Sequence, residues 1–289
     1  MKTSTGKWFL EKTADIIYIY SGMNETRPPK DTITFLGTGA GRFMITSQKL
    51  ASGGLWMNLG GTQLLIDPGP GCIVRSTRKK FDAEKLSAII VSHRHLDHSA
   101  DVNIMTEAMT KGGHNQHGML FAPTDAIDTE PVIFGYLKQY LNRIEKFEEG
   151  KTYTIENVSL TVPVKHHHGV ETYGMILKSG TRTISYIADT RFFEGLLHHY
   201  GGDLLILNVV FTEPRPPSGN PLLPTDHLSV PDAELIIRTL KPKTAIISHF
   251  GMGMWKAHPQ TIAAALTEKT GIPVLAAKDG MQFNLAELN

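Results

Sequence analysis

The stretch Ala88-Ile-Ile-Val-Ser-His-Arg-His-Leu-Asp-His98 decides how the rest of the chain is read. Its first half is a short apolar run of the kind found in strands covered on both faces. Its second half places four potential metal donors, His93, His95, Asp97 and His98, within six residues. A strand ending in a loop can turn several side chains toward one point, whereas a helix spreads them around its circumference. His93 and His95 can face one cation, and Asp97 and His98 a second close by. Two divalent ions roughly 3.5–4 Å apart can activate a shared water and clamp both oxygens of a displacement at phosphorus. The competing reading is a solvated, histidine-rich loop.

Working outward, other apolar runs also stop at chemistry-bearing residues. Thr32-Ile-Thr-Phe-Leu36 reads as a strand running into Gly37-Thr-Gly-Ala-Gly41, and Gln63-Leu-Leu-Ile-Asp67 stops at Pro68-Gly-Pro-Gly71. Residues 98–111 fit a helix, 118–122 a strand and 131–147 a second helix. Val158-Ser-Leu-Thr-Val162 alternates at period two, and 173–177, 183–187 and 203–209 are further strands. A Pro-rich loop spans 213–224. It precedes a helix at 231–240 with Pro in its first turn. Thr244-Ala-Ile-Ile-Ser248 is a strand ending at His249, an amphipathic helix covers 260–269, and strands lie near Val274 and Gln282. Alternating strands and helices make this an α/β chain, and strand pairs without intervening helices point to mixed sheets. Residues 1–30 stand apart as an N-terminal extension closed by Asn24-Glu-Thr-Arg-Pro-Pro-Lys30, which leaves 31–289 as the main domain.

Composition narrows the classes. Of 289 residues 41% are hydrophobic and 20% charged, an ordinary globular balance. Lys plus Arg is 29 against 28 for Asp plus Glu, a net charge of +1, which argues against binding nucleic acid by bulk electrostatics. Cys72 alone can build neither a disulfide nor a cysteine-rich zinc site. No apolar run approaches the ~18 residues needed to span a bilayer, and the N-terminus lacks a signal-like apolar stretch. A soluble, cytoplasmic protein with no membrane association is the expectation. There are 13 histidines, and neutral imidazole is the commonest metal ligand.

His-x-His-x-Asp-His after an apolar strand resembles the signature of the metallo-β-lactamase-fold hydrolase superfamily. Phe35-Leu-Gly-Thr-Gly39, Leu65-Ile-Asp67-Pro-Gly-Pro-Gly71, Ile187-Ala-Asp189-Thr190 and Ile247-Ser-His249-Phe250 match its further motifs in order. The resemblance implies a four-layer αββα sandwich built from two similar halves, with a metal site at one edge of the sheets. It implies two divalent ions, zinc, manganese or iron. His93, His95 and His168 would hold one ion, Asp97, His98 and His249 the other, and Asp189 would bridge both. Among the adjacent histidines His166 is the alternative to His168. Asp67 would orient ligands rather than bind metal. Asp97, Asp189 and His227 are the candidate catalytic residues. Asp189 would orient the attacking hydroxide, and His227, in Thr225-Asp-His-Leu-Ser229, would donate a proton to the leaving group with Asp226 as its acidic partner. His114 and His117, in a Gly-rich loop, are candidates to line the site.

Phe35-Leu-Gly-Thr-Gly39, Arg42 and the His227 segment are most similar to the ribonuclease Z and small-phosphodiesterase branch. The bacterial processing enzymes carry an extended arm, for gripping large RNA, between the positions of His168 and Asp189. Positions 169–188 leave no room for one. A small or cyclic phosphodiester is therefore the expected substrate. Transfer-RNA 3′ processing, a lactonase or thioesterase, and a non-catalytic metal-binding relative are the alternatives. His95 stands where the flavodiiron branch has Glu, which argues against redox chemistry. The resemblance also implies a homodimer.

Overall fold

The structure is a computed structural model and describes residues 31–216 and 225–288. The N-terminal extension and positions 217–224 of the Pro-rich loop lie outside the described residues.

Strand β4, Leu86–Ile90, shows why the chain stacks in layers. Ala88 and Ile90 face one way, Ile89 and Val91 the other, and all four are fully buried. A strand that is apolar on both faces must be covered on both. On its inner side a second sheet does this; on its outer side helices do.

The first sheet has the order β15-β1-β2-β3-β4-β5-β6. Its other strands are β1, Thr32–Phe35; β2, Leu55–Leu59; β3, Thr62–Ile66; β5, Met119–Ala122; β6, Arg143–Lys146; and β15, Gln282–Asn284. The second contains β7, Thr152–Ile155; β8, Val158–Thr161; β9, Met175–Ser179; β10, Arg182–Ile187; β11, Leu204–Phe211; β12, Leu228–Ser229; β13, Thr244–Ser248; and β14, Val274–Ala276. Its order is β14-β13-β11-β10-β9-β8-β7, with β12 paired to β11. Each sheet combines an antiparallel section with a parallel one: β3, β4, β5 and β6 in the first, β10, β11, β13 and β14 in the second.

Side chains from both sheets, among them Ile33, Leu64, Ile90, Leu177, Ile184 and Ile206, form the central core. Helices α2, Cys72–Arg78, and α4, Val102–Met109, cover the outer face of the first sheet. Helices α7, Val230–Leu240, and α9, Pro259–Thr270, cover the second. Short helices α1, Gly41–Ser47; α3, Leu96–Ser99; α5, Gly135–Lys138; α6, Leu196–His199; and α8, Met252–Lys256, fill loops. The expected αββα sandwich with mixed sheets is what the chain forms. No helix among the described residues is long and apolar enough to cross a membrane.

Two expectations need correction. The helix expected at 131–147 is a short turn of helix, α5, followed by β6. The backbone N–H groups of Asn142 and Phe147 bond to Gly118 and Ala122, so pairing with the open edge of β5 overrides the helical spacing of the apolar residues. The helix expected at 98–111 is two helices, α3 and α4, broken at Ala100-Asp101, where the Asp101 N–H bonds to Pro68 O.

Candidate metal centre

The parallel strands deliver their C-terminal ends to one edge of the sandwich. Asp67 follows β3, the hexapeptide follows β4, Asp189 follows β10 and His249 follows β13. Asp67 and His249 both adopt left-handed backbone, with φ of 53° and 60°. That conformation costs a non-glycine residue roughly 1–2 kcal/mol, and here it turns each side chain back toward the edge. Gly69 lets the Pro-Gly-Pro turn pass under the hexapeptide: a Cβ there would lie 2.0 Å from the carbonyl oxygens of Asp97 and Ser52.

Two groups of donors result. His93 Nε2 lies 3.1 Å from His95 Nδ1, which lies 3.2 Å from His168 Nε2. His98 Nε2 lies 3.3 Å from His249 Nε2, and Asp97 Oδ2 is 3.8 and 3.6 Å from these two nitrogens. Asp189 sits between the groups. Its Oδ1 is 3.3 Å from His249 Nε2, and its Oδ2 is 3.5 Å from His98 Nε2 and 3.9 Å from His93 Nε2.

Hydrogen bonds behind the rings set which nitrogen faces inward. His98 Nδ1 donates to Asp67 Oδ2 at 2.9 Å, and His168 Nδ1 donates to the Asp226 carbonyl at 2.9 Å. The Ser92 hydroxyl gives its proton to Asp67 Oδ2, so it accepts from His93 Nδ1 at 3.0 Å. In all three rings Nε2 is left toward the cluster, an arrangement typical of metal-binding histidines. Asp97 Oδ2 is fixed by the Gly41 N–H at 2.8 Å.

The donor chemistry fits divalent cations. Nitrogens around a tetrahedral ion at about 2.0–2.1 Å stand about 3.3 Å apart, close to the observed spacings. Burial lowers the pKa of His93 and brings that of His95 to about 4, so both rings are neutral near pH 7. The His93, His95 and His168 nitrogens converge on one point, where a cation would satisfy all three lone pairs. His98 behaves differently. Burial pulls its pKa down, but the carboxylates of Asp189, Asp97 and Asp67 outweigh this and raise it. Burial likewise opposes ionisation of Asp189, yet His249, His98 and His227 hold its pKa well below the usual carboxylate range.

The structure brings together His93, His95, Asp97, His98, His168, Asp189 and His249. His166 is elsewhere: Nδ1 donates to the Asp189 carbonyl at 3.3 Å and Nε2 accepts from the Tyr200 hydroxyl at 2.7 Å. His114 and His117 precede β5, whose parallel partner β4 leads into the site, so they lie at the opposite edge of the sheet. His227 precedes β12, ahead of helix α7. Its Nδ1 is 3.4 Å from Asp189 Oδ2 but too poorly aligned to bond, and is buried without a hydrogen-bond partner. Asp226 forms no ion pair with it. Instead its carbonyl holds His168, so Asp189 is the carboxylate beside His227.

Two residues outside the expected set complete the network. Asn208 Nδ2 donates to Asp189 Oδ1 at 2.8 Å and to the Tyr186 hydroxyl at 3.2 Å, and Tyr186 donates to Asp67 Oδ2 at 2.9 Å. The carboxylates on the two sheets are thus coupled through buried side chains. The sequence does carry a signal for Asn208: it is a lone amide within Leu204-Leu-Ile-Leu-Asn-Val-Val210, and buried amides require partners.

A four-layer αββα sandwich with a His/Asp donor cluster at one sheet edge defines the metallo-β-lactamase fold. The chain belongs to the beta-lactamase superfamily, whose domain matches residues 62–250. An uncharacterized protein of Methanocaldococcus jannaschii is 29% identical over 88% of this chain and 94% of its own length. Among solved structures, YhfI of Bacillus subtilis, a metallo-beta-lactamase fold protein, has a TM-score of 0.72 at 20% identity, covering 88% of this chain and 99% of its own. A diphosphatase of the PhnP family has a TM-score of 0.63 at 19% identity, covering 89% of this chain and 98% of its own. The short form of human tRNase Z also has a TM-score of 0.63, at 15% identity, covering 88% and 99%. These structures share the fold.

Proposed function

We propose that this chain is a metal-dependent hydrolase that cleaves a small or cyclic phosphodiester with two divalent cations in its site. The observation that carries the reading is the position of Asp189, between the two donor groups and beside a third imidazole, His227, that belongs to neither. Cations held by His93, His95 and His168 and by Asp97, His98 and His249 would supply Lewis acidity toward substrate oxygens and would lower the pKa of a bound water. Asp189 Oδ2 accepts a hydrogen bond from the attacking water and aims it. Asn208, bonded to Oδ1, keeps that carboxylate from rotating. His227 carries the proton that a leaving alkoxide requires. Burial lowers its pKa to about 4, and the anionic phosphodiester beside it raises that value. Zinc suits a set dominated by imidazoles; manganese and iron also accept it.

The shared fold of a PhnP-family diphosphatase supports chemistry at phosphorus. The likeness to human tRNase Z supports a second reading, transfer-RNA 3′ processing. Residues 169–188 speak against it, because β9 and β10 span 175–187, are joined by only Gly180-Thr181, and leave six residues, 169–174, before them. The test is a parallel assay of bis(4-nitrophenyl) phosphate, a cyclic nucleotide, a precursor transfer RNA, a lactone and a thioester. Turnover of the small phosphodiesters, lost in Asp189→Ala, is expected. Lactone or thioester turnover with inert phosphodiesters sinks the reading, as does inertness toward all five with two metals bound. His227→Ala should slow substrates with poor leaving groups more than nitrophenyl esters.

A further inference from the structure

Phe211 closes β11, and its ring meets the edge of the His227 imidazole with centroids 5.7 Å apart at 81°. The Arg215 guanidinium lies over Phe211, its Cζ 4.2 Å from the ring centroid. Together the two separations put this cation within about 10 Å of the His227 ring, held by a cation–π contact. Its backbone is restrained as well. Pro214 and Pro216 flank Arg215, and both the locked φ of proline and the limits on a pre-proline residue favour extended chain. Thr225 Oγ1 donates to Pro216 O at 2.8 Å, tying the two ends of the loop together.

Arg94, Arg143, Arg182 and Arg238 each hold a carboxylate. Arg42, Arg75, Arg78, Arg191 and Arg215 pair with none among the described residues, but of these five only Arg215 lies over an aromatic ring, and residues 217–224 contain no acid. An exposed guanidinium that is fixed on an aromatic face, unpaired, and beside the imidazole of a catalytic centre has its hydrogen-bond fork free for a planar or tetrahedral anion.

We propose that Arg215, held on Phe211, is an anion subsite that selects substrates carrying a second phosphate or carboxylate a nucleotide's width from the scissile phosphodiester. The inference rests on the phosphodiester reading of the metal centre and narrows it to doubly anionic, nucleotide-like substrates. Restraint by the ring and the prolines reduces the ordering that binding would otherwise require.

Calorimetric titration of the zinc-loaded protein with adenosine 3′,5′-bisphosphate and adenosine 5′-monophosphate tests it without turnover. A charge-assisted contact at Arg215 should make the bisphosphate bind about tenfold tighter or more. In Arg215→Ala the ratio should fall to about twofold, the statistical advantage of having two phosphates. Arg215→Lys should keep part of the preference, and Phe211→Leu, which removes the platform, should fall between. A twofold ratio in the wild type, a tenfold ratio that survives Arg215→Ala, or no binding of either nucleotide overturns the subsite. Hydrolysis of bis(4-nitrophenyl) phosphate by the same preparation judges the phosphodiester reading separately. Its absence removes that reading, while the nucleotide ratio still decides Arg215.

Discussion

His166 isolates the effect of burial on an imidazole outside the donor cluster. It is fully satisfied as a neutral ring, and burial pushes its pKa down to about 3 from 6.5. The unfolded chain therefore takes up this proton first, so stability falls as pH drops below about 6.5 and continues to fall until about 3. Between pH 7 and pH 5 the loss from this one group is about 2 kcal/mol. Urea unfolding in chelator should show His166→Asn less stable at pH 7 yet flatter between pH 7 and pH 5. An unchanged slope would assign the proton uptake to other groups. At this scale, residue type and neighbours made most of the cluster legible: four donors in six residues at a strand end leave few other uses. His166 and His168 look alike in sequence, as alternate histidines on an extended segment. Only the Tyr200 hydroxyl and the Asp226 carbonyl, both distant in the chain, separate them. Tyr186 was illegible for the same reason, since its hydroxyl partner, Asp67, lies across the sheets.

Two loops must hold the His93, His95 and His168 rings at contact distance, and Arg94 braces them through a third segment, 125–130. Its Nε donates to Asp125 Oδ2 at 2.8 Å, and a terminal nitrogen reaches Glu130. Asp125 and Glu171, in the loop after His168, exchange backbone-to-carboxylate bonds of 3.0 and 3.3 Å. Tyr173 OH donates to Glu171 Oε1 at 3.0 Å. Arg94→Ala should release this brace, costing about 1–3 kcal/mol of stability. It should also let chelator remove one of the two metals at lower concentration, read as metal content after dialysis. Retention equal to wild type would show that the brace is dispensable. Gly69→Ala tests the same edge from below. With its Cβ inside two carbonyls, it should displace the hexapeptide and lose metal even where circular dichroism shows folded protein. Elements were legible where period and length agreed, as in α7, α9 and β11. They were not where an edge needed a partner. Ile133, Leu137, Leu141 and Ile144 follow helical spacing, yet the open side of β5 claims Arg143–Lys146 as a charged edge strand. Strand β2 and helices α1 and α2 also escaped reading. β2 is a hairpin partner of β3 through Gly60-Gly61, and the two helices are too short to show a period.

For the whole molecule, metal binding and protonation are one equilibrium, because the cluster joins strand ends from both sheets. Without cations, Asp67, Asp97 and Asp189 lie within reach of His98, and their combined field outweighs burial and raises its pKa well above 6.5. The cation-free protein at pH 7 therefore keeps a proton on His98, between Asp67 on one side and Asp189 and His249 on the other. A cation needs the Nε2 lone pair and must displace that proton. Metal affinity should thus rise with pH, about tenfold per unit while His98 remains protonated. Calorimetry at pH 7 in buffers of differing ionisation enthalpy should count about one proton released as this position fills. Loading also stabilises the fold by linkage, about 4 kcal/mol for a site at a thousandfold excess over its Kd. Chelation should therefore lower Tm by several degrees or more in a chain of this size. The bulk of the core between the sheets is apolar, so the cation-free protein should keep its hydrogen-exchange protection in β4, β10 and β11 and lose it in the loops at 67–71 and 93–98. Release of no proton with tight binding would mean that His98 is already neutral, and that the three carboxylates do not govern its charge as their distances require.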